Sequence, residues 1–97
     1  MNAVRQRNLD AVLALYSDSA VLIPTLSSRM CTTHAERRSY FVNFLETLKH
    51  DPQILWHAHL GDGVHAGLYR FGASLTARFT FVVRDGQIVH HHSSQIP

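Results

Sequence analysis

The spacing of apolar positions changes once along the chain, near residue 53, and the change divides a helical half from a stranded half. Over residues 2–16, Val4, Val12, Leu13, Leu15 and Tyr16 recur at helical spacing, with Asn8 and Asp10 interrupting as a turn or a fresh N-cap. Ala20 to Pro24 is a short apolar run that predicts a strand closed by Pro24. Residues 25–32 form a polar connection, with a brief strand expected around Arg29–Cys31. Thr33 and Glu36 then stand at capping-box spacing, where each side chain satisfies an orphan amide of the other's backbone. The helix they open carries an apolar stripe of Tyr40, Phe41, Phe44, Leu45 and Leu48, and ends at Asp51-Pro52. Arg37, Arg38, Glu46 and Lys49 are assigned to its exposed face.

From residue 53 the period is two. Ile54, Trp56, Ala58 and Leu60 alternate with Leu55, His57 and His59; Gly61-Asp62-Gly63 makes a turn, and Val64 to Phe71 return as a second strand. After Gly72 the longest strand runs from about Leu75 to Arg84. Leu75, Ala77, Phe79, Phe81 and Val83 share one face; Thr76, Arg78, Thr80, Val82 and Arg84 share the other. Asp85-Gly86 is a hairpin signal, and Gln87 to Ser94 pair back. Helices first and a strand meander after them predict an α+β fold, with helices packed on one face of an antiparallel sheet.

Ninety-seven residues hold one domain, residues 1–97, and the apolar fraction of 45% is that of a chain able to bury a core. Charged residues make up only 16%, which favours self-association and a homo-oligomer, dimer or larger. With a net charge of +2 and no basic run, nucleic acid is not an expected partner. No apolar run approaches the roughly 20 residues of a membrane span, so no membrane partner is expected either. A lone Cys31 excludes an internal disulfide and suits a reducing, cytoplasmic setting.

Candidate chemistry concentrates in His90-His91-His92-Ser93-Ser94. Pleating sends His90, His92 and Ser94 to one face, His91 and Ser93 to the other. His90 and His92 could chelate with His57 or His59, but no carboxylate or cysteine joins them, and neither a metal site nor a cofactor is expected. His91 is the candidate catalytic base. Arg78, mid-strand among apolar neighbours, is either solvated or the anchor of an anionic ligand. Tyr40 could aim its hydroxyl into a cavity, and Arg29 is a further candidate ligand contact.

The segments Ala11–Tyr16, Val21–Ser27, Tyr40–Leu45, Arg78–Val82 and Val89–Ser94 with Pro97 resemble the SgcJ/EcaC-type proteins. Those belong to the cone-shaped nuclear transport factor two-like superfamily, with the SnoaL-like cyclases and ketosteroid isomerase as relatives. The chain's end also resembles the association domain of calcium/calmodulin-dependent kinase II. The resemblance implies a strongly curved sheet wrapped on helices, a conical pocket for a small molecule, and dimers formed through the sheet. It places Val89, His91 and Ser93 inside the pocket and His90, His92 and Ser94 at the dimer face. Where this chain has Ser93 the association domain has an arginine, and the catalytic aspartates of ketosteroid isomerase have no counterpart. It also implies a first helix shortened relative to the family. The function expected is binding of an aromatic or carboxylate-bearing metabolite, with Arg78 as anchor and His91 as base. The alternative is a non-catalytic oligomerisation domain.

Overall fold

A computed structural model describes residues 2–25, 27–73 and 75–96, apart from the side chain of Asn2. The N-terminal helix is broken. α1 spans Asn2–Arg5, Arg7 takes a left-handed φ of 57°, and α2 spans Leu9–Ala14. Asn8 is the fresh N-cap, its side chain accepting the amide of Ala11 at 3.1 Å. α2 stops at Ala14, so Tyr16, expected at a helix end, instead opens β1, Tyr16–Ile23. The strand expected near Arg29 reduces to one bridge, in which Cys31 and Leu22 exchange two backbone bonds.

α3 spans His34–Thr47, and its capping box is complete, with Thr33 accepting from Glu36 and Glu36 accepting from Thr33. Phe41 is buried, and Tyr40, Phe44 and Leu48 pack against the core. Arg37 departs from expectation: it is 1% exposed. It stands one turn before Phe41, so it continues the apolar stripe rather than the polar face.

Four strands follow: β2 Pro52–His59, β3 Val64–Phe71, β4 Leu75–Arg84 and β5 Gln87–Gln95. The sheet order is β1-β5-β4-β3-β2. The meander from β2 to β5 is antiparallel, but β1 pairs with β5 in parallel, so the sheet is mixed. Parallel neighbours need a long connection, and α3 with three intervening strands supplies it. Two bulges in the antiparallel meander re-aim side chains. The β2–β3 register shifts between Ile54 and Trp56, which puts Ile54 opposite Tyr69 but Trp56 opposite Leu68. Strict alternation therefore fails at Leu55, and His57 and Ile54 share the inner face while Trp56 points outward. A second shift lies between Val82 and Val83, where Val89 is the extra residue.

One core cluster gathers Val12, Leu13, Tyr16, Ala20, Leu22, Cys31 and Phe41; the other gathers Tyr69, Phe71, Ala77 and Phe79. Phe44 packs against both, meeting Phe71 edge-on at 5.6 Å. The space these two clusters leave between helices and sheet is the cavity. No helix among the described residues is long and apolar enough to cross a membrane.

Candidate functional site

The cavity measures about 490 Å³, within the ordinary range of small-molecule sites. Its walls are largely hydrocarbon, including Val12, Leu22, Phe41, Phe44, Phe71, Phe79 and Phe81, with Tyr16, Thr25, Tyr40, Tyr69, His57, His65, His91 and Ser93 supplying polar atoms. No Asp, Glu, Lys or Arg is among the lining residues described.

A continuous hydrogen-bonded chain crosses this wall. The Tyr16 hydroxyl meets His91 Nδ1 at 2.7 Å, and His91 Nε2 meets Ser93 Oγ at 2.7 Å. Ser93 Oγ meets the Tyr69 hydroxyl at 2.8 Å, which approaches Thr25 Oγ1 at 3.4 Å. Its members come from β1, β3, β5 and the residue after Pro24, so closing the sheet against the helices is what brings them together. Pleating places His91 and Ser93 on the same inner face of β5. Phe81, 4.3 Å from the His91 ring, and Tyr16, 6.0 Å away, hold the imidazole between them.

This hydrogen-bonded network is neutral. Burial, aided by His90 and His92, pushes His91 down to about 3, so it carries no charge at neutral pH. Burial also raises Tyr16 and Tyr69, the former reinforced by Tyr69 and Tyr40, so both remain phenols. With His91 neutral, one ring nitrogen must donate and the other accept. The network thus has two proton orders, one the reverse of the other.

The residues anticipated from sequence divide. His91, Ser93 and Tyr40 line the cavity, Tyr40 stacked on Phe44 at 5.9 Å. Ile88, not Val89, lines it on β5, because of the bulge. Arg78 is exposed on the other face of β4, opposite Ser94, and Arg29 is exposed beside a separate surface groove along α3. Neither arginine reaches the chain of hydroxyls. His90, His92 and Ser94 occupy the outer face, opposite Val82, Thr80 and Arg78. Sequence reasoning missed Tyr16, Tyr69 and Thr25; Tyr69 was legible as the inward position of β3 two residues before Phe71.

At the rim of the cavity lies a second group. His57 Nε2 and His65 Nδ1 are 3.1 Å apart, and His59 stacks on His65 at 4.5 Å. His65 is lowered from the usual imidazole range by desolvation and by His59 and His57 beside it.

No family profile and no curated protein matches the chain. Among solved structures it is similar to a Xanthomonas campestris protein assigned as a calcium/calmodulin-dependent protein kinase II association domain. That match has 32% identity and a TM-score of 0.79, covering 99% of this chain and 79% of the other. A Sinorhizobium meliloti protein assigned as a polyketide cyclase shares the fold at 18% identity and a TM-score of 0.80, over 95% of this chain and 86% of that one. So does a steroid delta-isomerase from Pseudomonas aeruginosa, at 17% identity and a TM-score of 0.77, over 99% and 73%. With helices packed on this five-stranded mixed sheet and 32% identity over nearly its whole length to the first of these, the chain belongs to the nuclear transport factor two-like, SnoaL-like superfamily, among the kinase association-domain-like proteins.

Proposed function

We propose that the chain binds a small, largely apolar ring compound bearing a neutral oxygen, and that Tyr16, His91, Ser93 and Tyr69 relay protons at that oxygen. The observation that carries this reading is His91, held by a hydroxyl at each ring nitrogen inside a cavity whose described lining has no ionic group. His91 then acts as a neutral relay rather than as a charged base. In one step, Tyr69 Oη takes a proton from the bound molecule and passes its own to Ser93. Ser93 protonates Nε2, Nδ1 releases its proton to Tyr16, and Tyr16 donates to the substrate oxygen. Every atom ends neutral, which an apolar site favours because a separated ion pair there is expensive. Paired proton transfer of this kind suits isomerisation or cyclisation of an aromatic or polycyclic carbonyl compound. Fold relatives assigned as a polyketide cyclase and a steroid isomerase belong to that chemistry, and we place the chain with the SgcJ/EcaC-type proteins. An anionic anchor at Arg78 or Arg29 forms no part of this reading, since both side chains lie outside the cavity. We place the protein in the cytoplasm, in keeping with its single, unpaired and buried Cys31.

Bicyclic aromatic ketones are expected to raise the melting temperature, and aliphatic carboxylates to leave it unchanged. Ser93→Ala should retain most of that shift while slowing solvent-deuterium exchange into the bound ketone by about 10²–10⁴-fold. Equal exchange rates in the two proteins would count against the relay, and preferential stabilisation by carboxylates against the neutral cavity.

A second reading, a non-catalytic association domain, is favoured by the outer sheet face. There Trp56 is 53% exposed, beside Leu68 and in the same sheet as His90, His92 and Ser94. We assign a homo-oligomer contact to this face. His92→Asp should lower the solution mass measured by light scattering toward that of a monomer, because a carboxylate would be desolvated in the contact. An unchanged mass would remove His92 from it.

A further inference from the structure

His65, at the cavity rim, belongs to neither the relay nor the outer face. One register row runs across the sheet from His65 on β3 through Phe81 on β4 to His91 on β5. Neighbouring strands lie about 4.8 Å apart, which sets His65 and His91 roughly 10 Å from each other, on either side of Phe81. The Phe81 ring fills that interval, 4.3 Å from the His91 ring and 4.9 Å from Phe79. In the next row Gly67 stands between His57 and Phe79, and a Cβ there would come within 2.7 Å of the Phe79 ring. The missing side chain leaves room for that ring to lie close over the strand. An aromatic floor thus separates the relay from the rim.

The His65 ring is held in place. Its Nδ1 is 3.1 Å from His57 Nε2, and its face lies flat against His59 at 4.5 Å, with an interplanar angle of 8°. None of the described residues is hydrogen-bonded to its Nε2, and the half-buried side chain lines the cavity. We propose that His65 Nε2 is a specificity contact, reading a hydroxyl at the far end of a ring compound whose carbonyl lies at the relay. This contact rests on the proposed occupancy of the cavity by such a compound, and it narrows the ligand class to hydroxylated bicyclic ketones. The hydrogen bond with His57 sets the tautomer of His65, and with it the role of Nε2 as donor or acceptor. A hydroxyl answers either role, whereas an ether or a carboxylate only accepts. A carboxylate also meets no positive charge here. Desolvation, then His59 and His57 beside it, lower His65 from the usual imidazole range, so the ring is neutral at pH 7. His57 and His59 act through His65, as positioning residues.

Calorimetric titration of the full chain at pH 7 with the bicyclic ketone 1-tetralone and with its 6-hydroxy and 5-hydroxy derivatives is the experiment. The 6-hydroxyl stands at the end of the molecule opposite the carbonyl, and the 5-hydroxyl lies off that axis, beside the saturated ring. The expected result is that the 6-hydroxyl tightens binding about fivefold, the net contribution of one hydrogen bond, and that the 5-hydroxyl does not. In His65→Phe, which keeps a flat ring against His59, the 6-hydroxy ketone should lose that advantage over 1-tetralone. Thermal melts establish that the variant is folded. Long-range proton–nitrogen NMR of the unaltered chain needs no variant: the 6-hydroxy ketone should move the His65 Nε2 resonance further than 1-tetralone does. A 6-hydroxyl that adds nothing, a gain that survives His65→Phe, an equal gain from the 5-hydroxyl, or an unmoved Nε2 resonance overturns the contact and leaves the relay reading in place. Failure of all three ketones to bind overturns both.

Discussion

Arg37→Ala is expected to destabilise the fold by about 3–5 kcal/mol, a large part of the total stability of a domain this size. The reason lies in how β1 joins the sheet. Between Tyr16, opposite Ile88, and Val21, opposite His90, β1 advances five residues while β5 advances two. The excess backbone bows away from its partner, leaving carbonyls without ladder bonds. Arg37 reaches from α3 to collect them, donating to Ala20 O at 2.7 Å and to Ser17 O and Asp18 O at 3.0 Å each. Hydrogen bonds from a charged donor contribute about 1.5–3 kcal/mol each, and truncation would leave a void as well as stranded acceptors. Arg37→Lys keeps the charge but not the fork that spans three acceptors, so an intermediate loss is expected. Urea unfolding of the three proteins measures this; a loss in Arg37→Ala below about 1 kcal/mol would contradict the clamp.

The second large effect is acid sensitivity from His91. An unfolded histidine titrates near about 6.5, whereas in the folded chain burial holds His91 down to about 3. Between those values the unfolded state binds a proton that the folded state refuses, so stability rises with pH. Stability from this group is complete above the unfolded value. It is lost as pH falls from about 6.5 toward about 3, at about 1.4 kcal/mol per pH unit and about 4–5 kcal/mol in all. His91→Gln removes the titrating group. Its stability should therefore change less steeply over that range than the parent's, whatever the substitution does at neutral pH. Parallel stability–pH curves for the two proteins would show that His91 titrates normally in the folded chain.

Much of the architecture is written in local patterns. The Thr33–Glu36 capping box and the Asp85-Gly86 hairpin act over a few residues, and both form as their chemistry requires. Pleating alone separated His91 and Ser93 from His90, His92 and Ser94. The departures arise where distant segments meet. That β1 runs parallel to β5 depends on where the crossover through α3 deposits it, which no local spacing encodes. The bulge at Leu55 is set by pairing with β3, and it parts Trp56 from Ile54, with which strict alternation had grouped it, and puts His57 on the face of Ile54. Arg37 looked like a surface charge because the carbonyls that need it belong to another element. Arg78 looked like an anchor because its apolar neighbours, Ala77 and Phe79, point the other way. At the site, His91 and Ser93 were legible as a pair. Tyr16 and Tyr69, which complete the chain of hydroxyls, come together with them only in three dimensions.

The measurement that most directly tests a neutral relay within the cavity is long-range proton–nitrogen NMR of the His91 ring, free and with a bound bicyclic ketone, at pH 5. The expected spectrum is that of a neutral imidazole in both states, with one pyrrole-like and one pyridine-like nitrogen, and with both resonances moving as the ketone binds. An imidazolium signature at pH 5, or a His91 ring unmoved by a ligand that stabilises the protein, would contradict the relay.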